Sequence, residues 1–167
     1  PFLPRQLSIT DGLTIGIPAF FLALLPNAQR YVPGFLRRSL TFAMPAGLVV
    51  ALSLTVFARV CLALGVPEEE LRTGTTLIVG IIGIWVLSVL ARPLTWVKAL
   101  IVAAMVAGLL FVMTFPLTVE FFELVEPRAE ALWWVGGISA VAIVMVEIIR
   151  AVQLRVVQRR ALRRATA

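Results

Sequence analysis

Five long stretches of this 167-residue sequence contain no Asp, Glu, Lys or Arg: residues 12–29, 39–58, 73–91, 99–119 and 131–146. A helix needs about 20 apolar residues to cross a hydrocarbon core of about 30 Å. The stretches lack the alternation of barrel strands, and a helix satisfies its own backbone hydrogen bonds in lipid. The pattern therefore predicts an all-α integral membrane protein, a bundle of five transmembrane helices at about 4–25, 40–64, 75–91, 96–115 and 131–150.

The composition excludes several classes of protein. Hydrophobic residues make up 60% of the chain and charged residues 14%, whereas a soluble domain has about 45–50% and about 25%. The chain has a single cysteine, Cys61, and no histidine. An internal disulfide, a zinc site built on histidines and a histidine-based catalytic triad are therefore excluded.

The basic residues predict the orientation. With the C-terminus inside, eleven of the fifteen Lys and Arg residues lie in inner loops and the tail, and four lie outside: Arg5, Arg59, Arg72 and Arg128. Since basic residues favour the cytoplasmic side, the N-terminus is predicted outside and the C-terminus in the cytoplasm. The basic tail is then typical of a helix on the membrane surface, so we expect a lipid bilayer and no nucleic acid as its partner. We expect a multi-pass protein of the plasma membrane.

The first predicted span contains the candidate site. Asp11 lies inside this span, where an ionisable group costs at least about 2.5–3.5 kcal/mol and needs a partner such as a cation. Pro18 cannot donate to the carbonyl of Thr14, and helical spacing places Ser8, Asp11, Thr14 and Pro18 on one face. These hard oxygen ligands suit Ca²⁺, Mg²⁺, Na⁺ or K⁺. The candidate cation ligands are Asp11, Thr14 and Ser8, and Pro18 and Gly16 form a structural helix break.

Alternatives to this interpretation remain open. A proline kink occurs in membrane helices without an ion, and Asp11 could lie in an outer water-filled vestibule. Gly12-x-x-x-Gly16 matches the small-residue motif and indicates close packing against a neighbouring helix rather than dimerisation. Glu147 lies one turn before Arg150, which favours an ion pair or snorkelling over a role in transport.

Three runs of sequence resemble a known family: residues 13–27 (LTIGIPAFFLALLPN), 34–38 (GFLRR) and 44–47 (MPAG). They are similar to the sixth membrane helix and the following region of cation-transporting P-type ATPases, most closely the actinobacterial CtpE-like group. The resemblance covers essentially the whole chain. In that family the sixth helix runs inwards and four more helices lead to a cytoplasmic C-terminus, which agrees with the five-span topology.

The resemblance also implies an ion and a ligand register. Calcium pumps of the family carry Asn-x-x-Thr-Asp-Gly-Leu-Pro in the sixth helix. Aligning this chain on Gly16, Pro18 and Pro26 places Thr14 on the motif threonine, while Asp11 falls on the motif asparagine and Ile15 on the motif aspartate. The carboxylate would then lie one turn further out than in calcium pumps. The CtpE-like resemblance nevertheless suggests Ca²⁺.

The family carries its ATP chemistry in cytoplasmic domains that precede this region. The Asp-Lys-Thr-Gly-Thr, Thr-Gly-Glu and Gly-Asp-Gly motifs of those domains do not occur here. We therefore expect no catalytic residue and no cofactor in this chain, and assign ATP and Mg²⁺ to the intact parent.

Four segments follow from this interpretation: 1–25 is the ion-site helix, 26–39 a cytoplasmic loop, 40–150 a four-helix anchor and 151–167 a basic cytoplasmic tail. Because the chain begins with Pro1 rather than Met, we expect an upstream N-terminal part of the same pump as its partner. The expected function is that of a C-terminal transmembrane fragment of a P-type cation-transporting ATPase. The alternatives are a self-contained small transporter or channel subunit and a non-catalytic membrane scaffold.

Overall fold

The computed structural model describes residues 8, 11–24, 35–92, 95–122, 124, 125 and 127–165, and every regular element in these ranges is helical. The described chain begins with a π-helical turn, Gly12–Gly16, that leads directly into α1, Ile17–Leu24. Asp11 is also helical, and we call residues 11–24 the first helical segment. The helices that follow are α2 Phe35–Ala63, α3 Glu68–Leu90, α4 Trp96–Thr114, α5 Pro116–Phe121 and α6 Ala129–Ala165.

Four helices in these ranges are long and apolar enough to cross a membrane: Leu40–Ala63 within α2, Glu68–Leu90, Trp96–Thr114 and Ala129–Val156 within α6. They correspond to the second to fifth predicted spans, so the prediction of an all-helical multi-pass membrane protein is confirmed. The first predicted span, 4–25, lies only partly in the described residues. Its described portion, the first helical segment, is shorter than a full crossing.

One predicted boundary is wrong. α3 begins at Glu68 rather than near 75, and the three glutamates in its first turn interact favourably with the helix dipole. A count of charge-free residues misses this start, because it stops at a charged residue although the helix continues. α6 continues without interruption to Ala165, so the basic tail is helical through that residue, and the division between the last span and the tail stays a prediction.

Three helices, α2, α3 and α6, pack against one another and form the three-helix core. α3 is its central member, since 56% of its span is buried, against 28% or less in the other three spans. The buried apolar side chains of this core are Val49, Phe57, Cys61, Leu71, Ile78, Ile82, Val89, Val135, Ala142 and Val146. The amphipathic separation typical of soluble helices is weak here because the outer faces contact lipid rather than water.

The closest approach in the core involves Gly74 of α3. A Cβ built at this position would lie 2.3 Å from the Phe57 ring and 3.4 Å from a methyl group of Val135. Phe57 is fully buried, so its ring has little room to move. The absence of a side chain at residue 74 therefore allows α2 and α6 to pack tightly on α3.

The remaining elements pack on the other side of α3. Met105 and Leu109 of α4 form a smaller apolar cluster with Ile84 of α3. The π-helical turn contacts α3 and α4, and α1 contacts α4. The candidate site thus lies on a helix at the margin of the three-helix core.

Candidate cation site

The backbone of the candidate site follows a π-helical rather than an α-helical path. The N–H of Ile17 donates to the carbonyl of Gly12, five residues back. Pro18 has no N–H to offer the carbonyl of Leu13, five residues back, or that of Thr14, four residues back. One helical hydrogen bond, to one or the other of these carbonyls, is therefore missing. Single π-turns of this kind occur frequently at functional sites.

Asp11 stands immediately before this turn. Its backbone is helical, its side chain makes no capping hydrogen bond, and it is exposed. Ser8 is also exposed and helical. The side chain of Thr14, the third candidate ligand, lies outside the described residues. Asp11 and Ser8 are thus both exposed. The expectation that they bind one cation together with Thr14 stays a prediction.

Pro18 does not share the environment of Asp11. It is among the fully buried side chains, whereas Asp11 is exposed. The two residues therefore differ in burial. The expectation that Ser8, Asp11, Thr14 and Pro18 occupy one face of the helix stays a prediction.

The glycines of the π-turn have more space than a packing motif needs. A Cβ at Gly12 would meet nothing within 4 Å, and one at Gly16 would meet only the carbonyl oxygen of Asp11, at 3.6 Å. Either position therefore has room for a methyl group, although the π-helical turn as a whole contacts α3 and α4. The interpretation of Gly12-x-x-x-Gly16 as a site of close packing against a neighbouring helix stays a prediction.

Two carboxylates elsewhere, Glu70 and Glu147, have ion-pair partners on other elements. At the start of α3, Glu70 Oε1 lies 3.2 Å from Nε of Arg128, and Glu70 Oε2 accepts the backbone N–H of Arg128 at 3.2 Å. One turn further on, Thr73 Oγ1 accepts the N–H of Val125 at 3.1 Å. We call these four residues the Glu70 cluster; it fixes the segment before α6 onto α3. The sequence signal for it was weak, because Glu70 is one of three adjacent glutamates.

The second cluster consists of Arg92, Glu147 and Arg150, and we call it the Glu147 cluster. Arg92 Nη2 lies 2.9 Å from Glu147 Oε1, and Arg150 Nη1 lies 3.4 Å from Glu147 Oε2. The predicted ion pair between Glu147 and Arg150 is confirmed. The ion pair between Arg92 and Glu147 connects α3 to α6. It could not be predicted from the local sequence, because the two residues are 55 positions apart.

No group of three or more His, Cys, Asp or Glu side chains able to hold a metal ion occurs among the described residues. A cation at Asp11 would therefore be bound by one carboxylate together with hydroxyl and carbonyl oxygens, or by oxygens from other parts of a longer polypeptide. Hard cations accept such mixed oxygen ligands.

An acidic residue beside an irregular helix is a feature found in ion-translocating membrane proteins. Three relatives support a narrower assignment. The calcium-transporting ATPase CtpE of Mycolicibacterium smegmatis is 35% identical over 82% of this chain and 20% of its own length. CtpE of Mycobacterium tuberculosis is 34% identical over 81% of the chain. A probable cation-transporting ATPase, exp7, of Streptococcus pneumoniae is 28% identical over 74% of the chain.

This chain belongs to the cation-transporting P-type ATPases, in the CtpE-like group, as the resemblance predicted. It spans about a fifth of the length of the curated relatives that it matches. No family model matches the chain, and no solved structure matches it.

Proposed function

We propose that this chain is the C-terminal membrane region of a P-type ATPase that transports Ca²⁺, and that Asp11 contributes a ligand to the intramembrane ion site. The observation that carries the proposal is the exposed carboxylate of Asp11 at the start of a π-helical turn. An ionisable side chain within the membrane should face protein, water or an ion rather than lipid. A hard cation bound at Asp11 meets that need.

The backbone supplies further ligands in this proposal. Pro18 leaves the carbonyls of Leu13 and Thr14 without the donor of residue 18, and these oxygens carry partial negative charge next to the carboxylate. Ser8 and Thr14 would add hydroxyl oxygens. Broken or irregular membrane helices provide carbonyl ligands to cations in other transporters. The oxygen-only ligand set supports Ca²⁺ and disfavours soft metals.

The identity of the ion rests on chemistry and on the relatives together. Two relatives more than 30% identical to this chain are named calcium-transporting ATPases. Asp11 lies one turn further out than the aspartate of the calcium-pump motif, so the ligands would be arranged differently around the ion. We propose the same cation with a site built one turn further out.

The proposed topology has five spans with the N-terminus outside and the C-terminus in the cytoplasm. The first helical segment belongs to the span that carries the ion site, and α2, α3, α4 and α6 form the anchor. In the intact polypeptide, ATP and Mg²⁺ would act in cytoplasmic domains outside this chain. Phosphorylation there would shift the helices around Asp11 between inward-open and outward-open states.

The test is the substitution Asp11→Asn in the intact polypeptide, reconstituted in vesicles. The Ca²⁺ concentration for half-maximal ATP turnover should rise about tenfold or more, because a charge-assisted ligand is lost while side-chain shape is kept. The matched control is Glu130→Gln, which removes an exposed carboxylate in the first turn of α6. Its half-maximal Ca²⁺ concentration should equal that of the wild type.

Two results would oppose the proposal. An Asp11→Asn variant that inserts normally and keeps the wild-type Ca²⁺ dependence would make Asp11 a structural or vestibule residue. Turnover stimulated only by Cu⁺ would contradict an ion site made of oxygen ligands.

A further inference from the structure

The Glu147 cluster combines two guanidinium groups with one carboxylate at one end of the bundle. Arg92 follows the end of α3, and Glu147 and Arg150 lie on α6, with N···O distances of 2.9 Å and 3.4 Å. Glu147 is the single carboxylate of the sequence after Glu130. The cluster therefore carries a net charge of about +1, with no second acidic residue on α6 beyond it to neutralise the excess.

The spacing between the two charged clusters indicates their depth in a membrane. α6 rises roughly 28 Å between its start beside Arg128 and Glu147, and α3 rises roughly 30 Å between Glu70 and Leu90, at about 1.5 Å per residue. A hydrocarbon core is about 30 Å thick. This agreement supports placing the Glu70 cluster at one boundary of the hydrocarbon core and the Glu147 cluster at the other, with the guanidinium groups of the Glu147 cluster near the lipid headgroups.

The guanidinium groups are accessible from outside the bundle. The side chains of Arg92 and Arg150 are 32% and 27% exposed. Each guanidinium has five N–H donors in a fork that matches phosphate oxygens, and the ion pairs with Glu147 involve one terminal nitrogen of each. Next to the cluster in sequence, Leu90 and Ile148 are exposed apolar residues, which suit contact with acyl chains.

We propose that Arg92 and Arg150 bind the phosphate group of an anionic phospholipid between the ends of α3 and α6, and that Glu147 orients the two guanidinium groups. Arginine binds phosphate with two parallel hydrogen bonds, and basic pockets between membrane helices bind acidic headgroups. A free phosphate ion would make the same contacts, but the adjoining apolar surface favours a ligand that also has acyl chains. This inference is independent of the ion site at Asp11.

The test measures association of spin-labelled phosphatidylglycerol and phosphatidylcholine with the intact polypeptide in phosphatidylcholine vesicles. The wild type should prefer phosphatidylglycerol, and Arg92→Gln or Arg150→Gln should each lower this preference about fivefold. The matched control is Arg155→Gln, an exposed arginine further along α6, which should lower it much less. An equal loss in Arg155→Gln would show general attraction to surface charge and would overturn the proposal.

Two further arms separate the remaining explanations. If Arg92→Gln fails to fold because Glu147 loses a partner, Arg92→Gln is combined with Glu147→Gln and compared with Glu147→Gln alone. Glu147→Gln keeps a side-chain oxygen that can accept from the arginines, so the single variant should keep most of the preference for phosphatidylglycerol. The double variant should lower it about fivefold further; equal preferences would overturn the proposal. Inorganic phosphate in solution should leave the preference unchanged, whereas its abolition by phosphate would assign the site to a soluble anion and overturn the lipid assignment.

Discussion

The first helical segment and the three-helix core are both rich in apolar residues, but they treat polar groups differently. In the core, buried hydroxyls bond back to their own helices: Ser53 donates to the carbonyl of Val49 at 2.8 Å, and Thr76 donates to that of Arg72 at 2.9 Å. Ser139 is an exception, since its buried hydroxyl has no hydrogen-bond partner in the structure. In the first helical segment, by contrast, Asp11 is exposed and Pro18 withholds a backbone donor.

This difference separates a scaffold from a site. Polar groups that are satisfied within one helix stabilise that helix and have little capacity left for a ligand. A carboxylate that makes no capping hydrogen bond remains able to bind a cation. The comparison is therefore consistent with a core that holds the bundle together and with the proposal that places the ion site in the first helical segment.

The largest expected effect concerns the side of the membrane on which each loop lies. Labelling from outside should be all-or-none. After Cys61→Ala, an impermeant thiol reagent applied from outside should label Glu69→Cys and Glu123→Cys but not Arg37→Cys or Arg160→Cys. The reason is the excess of basic residues on the predicted inner side. Labelling of Arg37→Cys from outside would mean that the first helical segment does not cross the membrane.

Packing provides the next test, with the same substitution made in each region. Gly74→Ala places a methyl group 2.3 Å from the ring of Phe57 and should destabilise the protein by about 1–3 kcal/mol. Gly12→Ala meets nothing within 4 Å, so it should be neutral or slightly stabilising. The measurement is the fraction of intact polypeptide that stays monodisperse after heating in detergent. If both variants lost the same monodisperse fraction on heating, the two regions would not differ in packing.

A smaller, local effect is expected at the Glu70 cluster. Glu70→Ala removes the acceptor of the Arg128 N–H and the ion pair with its guanidinium, so the amide of Arg128 should exchange with solvent several-fold faster. The neighbouring Glu69→Ala, at an exposed position, should leave this rate unchanged. Hydrogen exchange followed by mass spectrometry makes the comparison, and unchanged exchange in Glu70→Ala would show that the cluster does not hold this segment.

Much of the fold could be predicted because helices that cross lipid are long apolar runs with few charged residues. The predicted spans 40–64 and 96–115 lie within one residue of Leu40–Ala63 and Trp96–Thr114, since an uncompensated charge is costly in hydrocarbon and charges mark the ends of a span. The absence of charge fails to predict the start of α3, where Glu70 lies inside the helix and has an ion-pair partner, Arg128, just before α6. Pairing between distant residues leaves no mark on local composition.

The candidate site was only partly predictable for a related reason. Asp11 and Pro18 are visible in the sequence as a carboxylate and a helix breaker within one span. The π-helical turn between them is not, because glycine and β-branched residues also occur in ordinary membrane helices. A π-helical turn alters the angular spacing of the side chains that follow it, so the sequence alone does not establish which of them share a face.

The central claim is that cation binding belongs to the first helical segment and not to the core. The most direct measurement is equilibrium binding of radioactive Ca²⁺ to the intact polypeptide without ATP, comparing Asp11→Asn with Glu70→Gln, one carboxylate from each region. We expect Asp11→Asn to weaken binding about tenfold or more and Glu70→Gln to bind like the wild type. Wild-type binding in Asp11→Asn together with lost binding in Glu70→Gln would contradict the account.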